Sequence, residues 1–190
     1  EGNLRQITDP LQHTFSRQFD ARNHLIGTTD AVGHHIRQAY DAMDQIIQIS
    51  DPRDIATTYT YNGFGDVIQE ISTDRGTTTY TYDSAGNLET QMDARGVKHI
   101  YTWDALNRPI KRIHVKVAGI PGTAAFVWSY DNGVNGIGRL TSVSDASGST
   151  TYGYDLHGRL LTKTQIARFG AINFTQTLNY QYDSMGRLTQ

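Results

Sequence analysis

The side chains with chemistry to offer are seven histidines, His13, His24, His34, His35, His99, His114 and His157, and a long series of aspartates from Asp9 to Asp183. Histidines that bind a metal or act as general bases must converge. His34 and His35 are adjacent in a stretch that reads as a strand, so they point to opposite faces and do not share a metal. Carboxylates and turn carbonyls are calcium ligands, but neither the EF-hand loop nor the Gly-Gly-x-Gly-x-Asp nonapeptide occurs here. Glycoside hydrolysis needs two carboxylates across a cleft, and a periodic aspartate that serves turns is poor evidence for one. The serines lie in turns without a nucleophile elbow. The absence of cysteine removes thiol nucleophiles and disulfide staples. The expectation is therefore no catalytic, cofactor-binding or metal-ligating residue in this chain, and no enzyme.

What positions the aspartates is more informative than their chemistry. An aromatic residue followed by Asp or Asn occurs at Phe19-Asp20, Tyr40-Asp41, Tyr61-Asn62, Tyr82-Asp83, Trp103-Asp104, Tyr130-Asp131, Tyr154-Asp155 and Tyr182-Asp183. The first five aromatics are 21 residues apart and the later intervals are 27, 24 and 28, so the phrase is kept while residues are inserted between copies. A period near twenty residues marks one supersecondary unit stacked many times.

Three residues after the Asp position stand Asn23, Asp44, Gly65, Gly86, Asn107, Gly158 and Gly186. These are the residue types that tolerate the left-handed backbone region. An Asp or Asn at the start of a turn accepts hydrogen bonds from backbone N–H groups further on. The phrase thus reads as strand end, type I turn, and a left-handed residue that lets the next strand leave with hairpin twist. A second turn falls between copies, at Asp9-Pro10, Asp30 to Gly33, Asp51 to Asp54, Asp93 to Gly96 and Asp145 to Gly148. Asp74 slips two residues late, which predicts a shortened strand after it. Each unit is strand, turn, strand, turn, with strands of about six residues.

Strand runs such as Thr77 to Tyr82 and Ile55 to Tyr61 are rich in Thr, Tyr and Ile, which suit a pleated surface. Alternation places Tyr59 with Tyr61, Tyr80 with Tyr82, Tyr101 with Trp103, Trp128 with Tyr130, Tyr152 with Tyr154, and Tyr180 with Tyr182 on one face each. The expectation is a structural ladder, ring against ring, in which truncating Tyr80 or Tyr101 acts like a core truncation. Exposed rings stacking on sugars are the competing use of the same rows. The outgoing strands, such as Leu88 to Met92 and Leu160 to Gln165, alternate too weakly for their faces to be assigned. Three segments depart from the pattern and read as surface insertions. Lys116 to Ala125 lengthens one connection, Asn132 to Gly138 extends the turn after Tyr130, and Ala167 to Thr175 replaces a short turn.

With 17 Lys and Arg against 19 Asp and Glu, no overall field favours nucleic acid or an anionic membrane. No apolar run approaches the length of a membrane span and no signal-peptide pattern opens the sequence. Glu1 to Leu4 aligns with Ala85 to Leu88, and Leu188 to Gln190 falls early in an outgoing strand. Both ends read as cuts in a longer array of about eight repeats over residues 1–190. Unpaired edge strands at such ends template pairing with another chain, so edge-to-edge self-association is expected.

The phrase Tyr-x-Tyr-Asp-x-x-Gly-Arg-Leu, at Tyr152 to Leu160 and Tyr180 to Leu188, resembles the YD-repeat or Rhs-repeat family. Members include bacterial Rhs polymorphic toxins, shell subunits of insecticidal toxin complexes, and teneurins. The resemblance implies an all-β fold of antiparallel hairpins in one continuous, curved or spiralling sheet, a segment of a hollow shell. In bacterial members the shell encloses a C-terminal toxic domain. The plug region of those members resembles Asp-Pro-x-Gly-Leu with aspartyl self-cleavage, whereas Asp9-Pro10-Leu11-Gln12 and Asp51-Pro52-Arg53-Asp54 lack the Gly-Leu and read as turns. The implied function is a shell segment that encapsulates and helps deliver a polypeptide toxin. Its partners are the other repeats of the same chain and the enclosed cargo, and its setting is secreted or cell-surface, in bacteria. The alternative is a cell-surface recognition or carbohydrate-binding module.

Overall fold

The computed structural model describes residues 2–116 and 125–189. The expected insertion at Lys116 to Ala125 lies largely outside the described residues. Sixteen strands follow one another: β1 (Gln6–Thr8), β2 (Thr14–Phe19), β3 (Leu25–Thr29), β4 (His35–Tyr40), β5 (Ile46–Ser50), β6 (Ala56–Tyr61), β7 (Val67–Ser72), β8 (Gly76–Tyr82), β9 (Leu88–Met92), β10 (Val97–Trp103), β11 (Pro109–Lys116), β12 (Ala125–Tyr130), β13 (Leu140–Asp145), β14 (Gly148–Tyr154), β15 (Leu160–Phe169) and β16 (Ile172–Asn179). Within each of the chain's two units they hydrogen-bond in sequence order as an antiparallel meander, with no helix among the described residues. The chain divides into two compact units, one of Glu1–Thr81 with Gln91–Arg95 and one of Tyr82–Thr90 with Gly96–Gln190.

Within each unit the ladder carries one recurring irregularity. Pairing shifts by one residue at Gln18/Phe19, Ala39/Tyr40 and Thr60/Tyr61 in the first unit, and at Thr102/Trp103, Ser129/Tyr130 and Gly153/Tyr154 in the second. Each shift is a β-bulge at the aromatic that precedes the turn aspartate or, after Tyr61, Asn62. A bulge leaves one residue out of the ladder and tightens the local twist.

No apolar side chain among the described residues is fully buried, and the least exposed polar ones are Ser50, Ser72 and Thr141 at 7%, 6% and 7%. In each unit the sheet covers itself only through neighbouring side chains. The Tyr80 and Tyr101 rings, whose truncation is expected to act like a core truncation, are half-buried.

One sequence expectation is corrected here. β8 is seven residues long and is not shortened. The turn before it begins at Ser72, whose hydroxyl accepts from the Arg75 N–H, and it closes on Gly76 at φ 75°. Asp74 is left at the tip, where it meets Arg53 at 3.1 Å. The insertion at Ala167 to Thr175 is itself regular structure. It extends β15 and β16 into a hairpin paired from Thr162↔Asn179 to Phe169↔Ile172, closed around Gly170.

Candidate functional site

The recurring side chains meet at the joint between one repeat and the next. At the turn, Asp20 Oδ1 accepts the N–H of Arg22 at 2.8 Å and of His24 at 2.9 Å. Asp41, Asp83, Asp104, Asp155 and Asp183 each accept from the second and fourth residues onward in the same way. Asn62 does so with its amide oxygen at 2.9 Å to both Phe64 and Asp66. The turns between repeats at Asp9, Asp30 and Asp51 have the same geometry. The left-handed position is held by Asn23, Asp44, Gly65, Gly86, Asn107, Gly158 and Gly186, with φ from 58 to 91°.

These bonds favour the ionised carboxylate. The backbone N–H of Asn87 holds the Asp83 carboxyl below its ordinary range, helped by the Asn87 side chain. The Arg108 and Arg187 N–H groups act likewise on Asp104 and Asp183, with the guanidinium of the same residue adding to each.

The aromatics Phe19, Tyr40, Tyr59, Tyr61, Tyr80, Tyr82, Tyr101, Trp103, Trp128, Tyr130, Tyr152, Tyr154, Tyr180 and Tyr182 are all half-buried. Those beside the turn reach the preceding hairpin. Tyr40 Oη donates to the Leu25 carbonyl at 3.0 Å, Tyr61 Oη to Ile46 at 2.6 Å, Trp103 Nε1 to Leu88 at 2.8 Å, Tyr154 Oη to Leu140 at 2.7 Å, and Tyr182 Oη to Leu160 at 3.0 Å. Leu25 and Ile46 stand opposite Phe19 and Tyr40 at the bulges. A bulge breaks the ladder there, so the carbonyl needs another donor, and the aromatic of the following repeat supplies it.

A further group of residues completes the joint and was not singled out from the sequence. The residue after the left-handed position ties its own turn aspartate to the next repeat. Arg108 Nε meets Asp104 at 2.7 Å, its Nη2 meets Asp131 at 2.5 Å, and its guanidinium lies 4.4 Å from the Tyr130 ring centroid. Arg159 repeats this with Asp155 at 2.6 Å and Tyr182 at 4.7 Å. His24 does so with Asp20 at 3.0 Å and Asp44 at 3.2 Å, its ring stacked on Tyr40 at 4.5 Å. The signal was present in the Gly-Arg-Leu of the repeated phrase, where Arg follows Gly158 and Gly186. At these joints the rings of Tyr40, Tyr130 and Tyr182 meet the His24 ring and the Arg108 and Arg159 guanidinium groups. The ring pairs Tyr101–Trp103, at 6.4 Å, and Phe126–Trp128, at 4.8 Å, are each formed within one strand.

The histidines do not gather into one site. His13, His24 and His34 each face the aspartate four residues earlier in their own turn. His99 and His114 meet across β10 and β11 with ring centroids 4.2 Å apart, a pairing not foreseen from the sequence.

The RHS Repeat family model matches residues 19–54, 40–78, 61–98 and 135–168. A search of curated proteins finds no match. The fold is similar to that of the crystal structure of TcdB2-TccC3-Cdc42, with TM-score 0.74 and 17% identity over 93% of this chain and 10% of that one. It is also similar to the crystal structure of TcdB2-TccC3 without its hypervariable C-terminal region, with TM-score 0.55 and 20% identity over 93% of this chain and 9% of that one. The Photorhabdus luminescens Tc holotoxin pore structure gives TM-score 0.54 and 20% identity, again over 93% of this chain and 9% of that one. At these identities what is shared is the fold, and the chain spans about a tenth of the length of the structures it matches.

Proposed function

We infer the role of this chain from its family: it belongs to the RHS repeat family, matched over more than half its length, and we propose that it is a structural segment of a β-sheet shell. The shell would enclose a polypeptide toxin and help deliver it out of a bacterial cell. The observation that carries this reading is the joint itself. The side chains repeated along the sequence, Asp, the left-handed residue, Arg and the aromatic, are engaged in joining hairpin to hairpin, as in Arg108 with Asp104, Asp131 and Tyr130. Such side chains build a wall of any required extent and carry out no reaction. The mechanism is containment.

The carbohydrate-binding alternative needs ring faces open to a sugar. The Tyr130 and Tyr182 rings carry guanidinium groups and Tyr40 carries the His24 ring, which disfavours it. The test is partial proteolysis and imaging of the complete polypeptide that contains this segment. A hollow shell with density inside and a protease-protected inner chain is expected. An interior holding only solvent, with every non-repeat segment cleaved as readily as free chain, would overturn the reading.

A further inference from the structure

The Arg112 guanidinium in the second unit stands apart from the joints. Arg139 donates to the carbonyls of Asn135 and Ile137, and Arg108, Arg159 and Arg187 hold carboxylates. Arg112 of β11 forms no ion pair among the described residues, and its Nε is buried without a hydrogen-bond partner there. Its guanidinium lies over the Phe126 ring at 5.3 Å, with Tyr101 opposite it on β10 and Phe126 opposite it on β12. His114, two residues along the same strand and on the same face, adds an imidazole.

A half-buried guanidinium without an acceptor is costly, and its planar fork matches a carboxylate. Beside it Phe126 forms one wall of an open groove of about 310 Å³ whose other apolar walls include Val143 and Phe169. Phe169 is 66% exposed, so the groove has apolar surface to give a partner. The groove's own carboxylate, Asp145, is engaged by Ser147 and Gly148 in its turn and lies in the field of Arg168, a second cation of the groove lining.

From this charge complementarity we infer that the face takes an extended polypeptide segment carrying an acidic residue two positions from an aromatic or branched apolar one. Two such side chains lie about 7 Å apart on one side of a strand. The carboxylate binds Arg112 while the apolar side chain enters the groove. This rests on the reading that the shell encloses a polypeptide, and it names the chemistry by which that polypeptide is held.

The probe is the capped peptide acetyl-Ser-Phe-Ser-Glu-Ser-amide, titrated into the isotope-labelled 190-residue chain beside its Gln counterpart. The Glu peptide is expected to shift the signals of Arg112, Phe126 and Val143 and to bind at least about fivefold more tightly than the Gln peptide. Arg112→Gln should abolish that preference and Arg112→Lys should keep part of it. Equal binding of the two peptides, or a preference that survives Arg112→Gln, overturns the inference. If Arg112→Gln does not fold, the wild-type chain decides, since unmoved Phe126 and Val143 signals have the same meaning. A protected inner chain in the complete protein together with no peptide preference leaves the shell standing and sinks this site. Peptide preference without any enclosed chain supports the site and sinks the shell.

Discussion

The hydroxyl of Tyr61 donates to the carbonyl oxygen of Ile46 at 2.6 Å, across the bulge of the preceding hairpin. The bond joins two repeats through one side-chain atom, and deleting that atom leaves the ring in place. Tyr61→Phe is expected to cost about 1 kcal/mol in urea denaturation, the usual net worth of such a bond. Tyr59→Phe, two residues away on the same face, should change stability little. An equal response of the two would show that ring area, not the hydroxyl, is what matters.

Arg108 holds two carboxylates and a ring while its side chain is 23% exposed, whereas Arg53 bridges Asp51 and Asp74 with 66% of its side chain in solvent. Exposed pairs contribute little and are screened by salt. Arg108→Ala should therefore lower the unfolding midpoint clearly more than Arg53→Ala. Arg108→Lys should recover only part of the loss, since an ammonium does not span both carboxylates in plane. Matching midpoints for the two alanine variants would count against the joint.

Acid should weaken the fold through the turn aspartates. Asp83, Asp104 and Asp183 have folded-state values held below 3.8, chiefly by the backbone N–H groups of Asn87, Arg108 and Arg187. Between the folded and unfolded values the unfolded chain binds more protons. The stabilisation is therefore complete above the unfolded value and is lost as pH falls through the folded one. Thermal midpoints should be flat from neutrality down to about pH 5 and should fall below about pH 4. Asp83→Asn should fold well at neutral pH, because Asn62 already makes the same turn, and should lessen the acid slope. A midpoint that does not move down to pH 2 would contradict this account.

Gly86 has φ +82° and Gln12 has φ +67°. A β-branched residue at Gly86 should cost more than about 1 kcal/mol, measured by denaturant unfolding. Gln12→Gly should act in the opposite direction and stabilise by up to about 1 kcal/mol, because the left-handed region strains a side chain that glycine lacks. Destabilisation by Gln12→Gly would mean that its side chain serves something other than the turn.

The sequence by itself determined the turns, and through them the meander. An aspartate and a left-handed residue three positions on act within five residues, so their geometry follows from local bonds such as Asp83 with the Ala85 and Asn87 N–H groups. The 21-residue period then required every hairpin to resemble the last. Partners across repeats were decided only in the tertiary structure. That Tyr61 bonds Ile46, fifteen residues earlier, depends on a bulge that leaves a carbonyl available, and bulges have no fixed residue signature. The role of Arg108 was hidden because Asp131 and Tyr130 lie beyond a break in the repeat spacing and meet it only after β11 and β12 have paired. Arg112 carried no signal at all, since its isolation is set by what surrounds it once β10, β11 and β12 lie side by side.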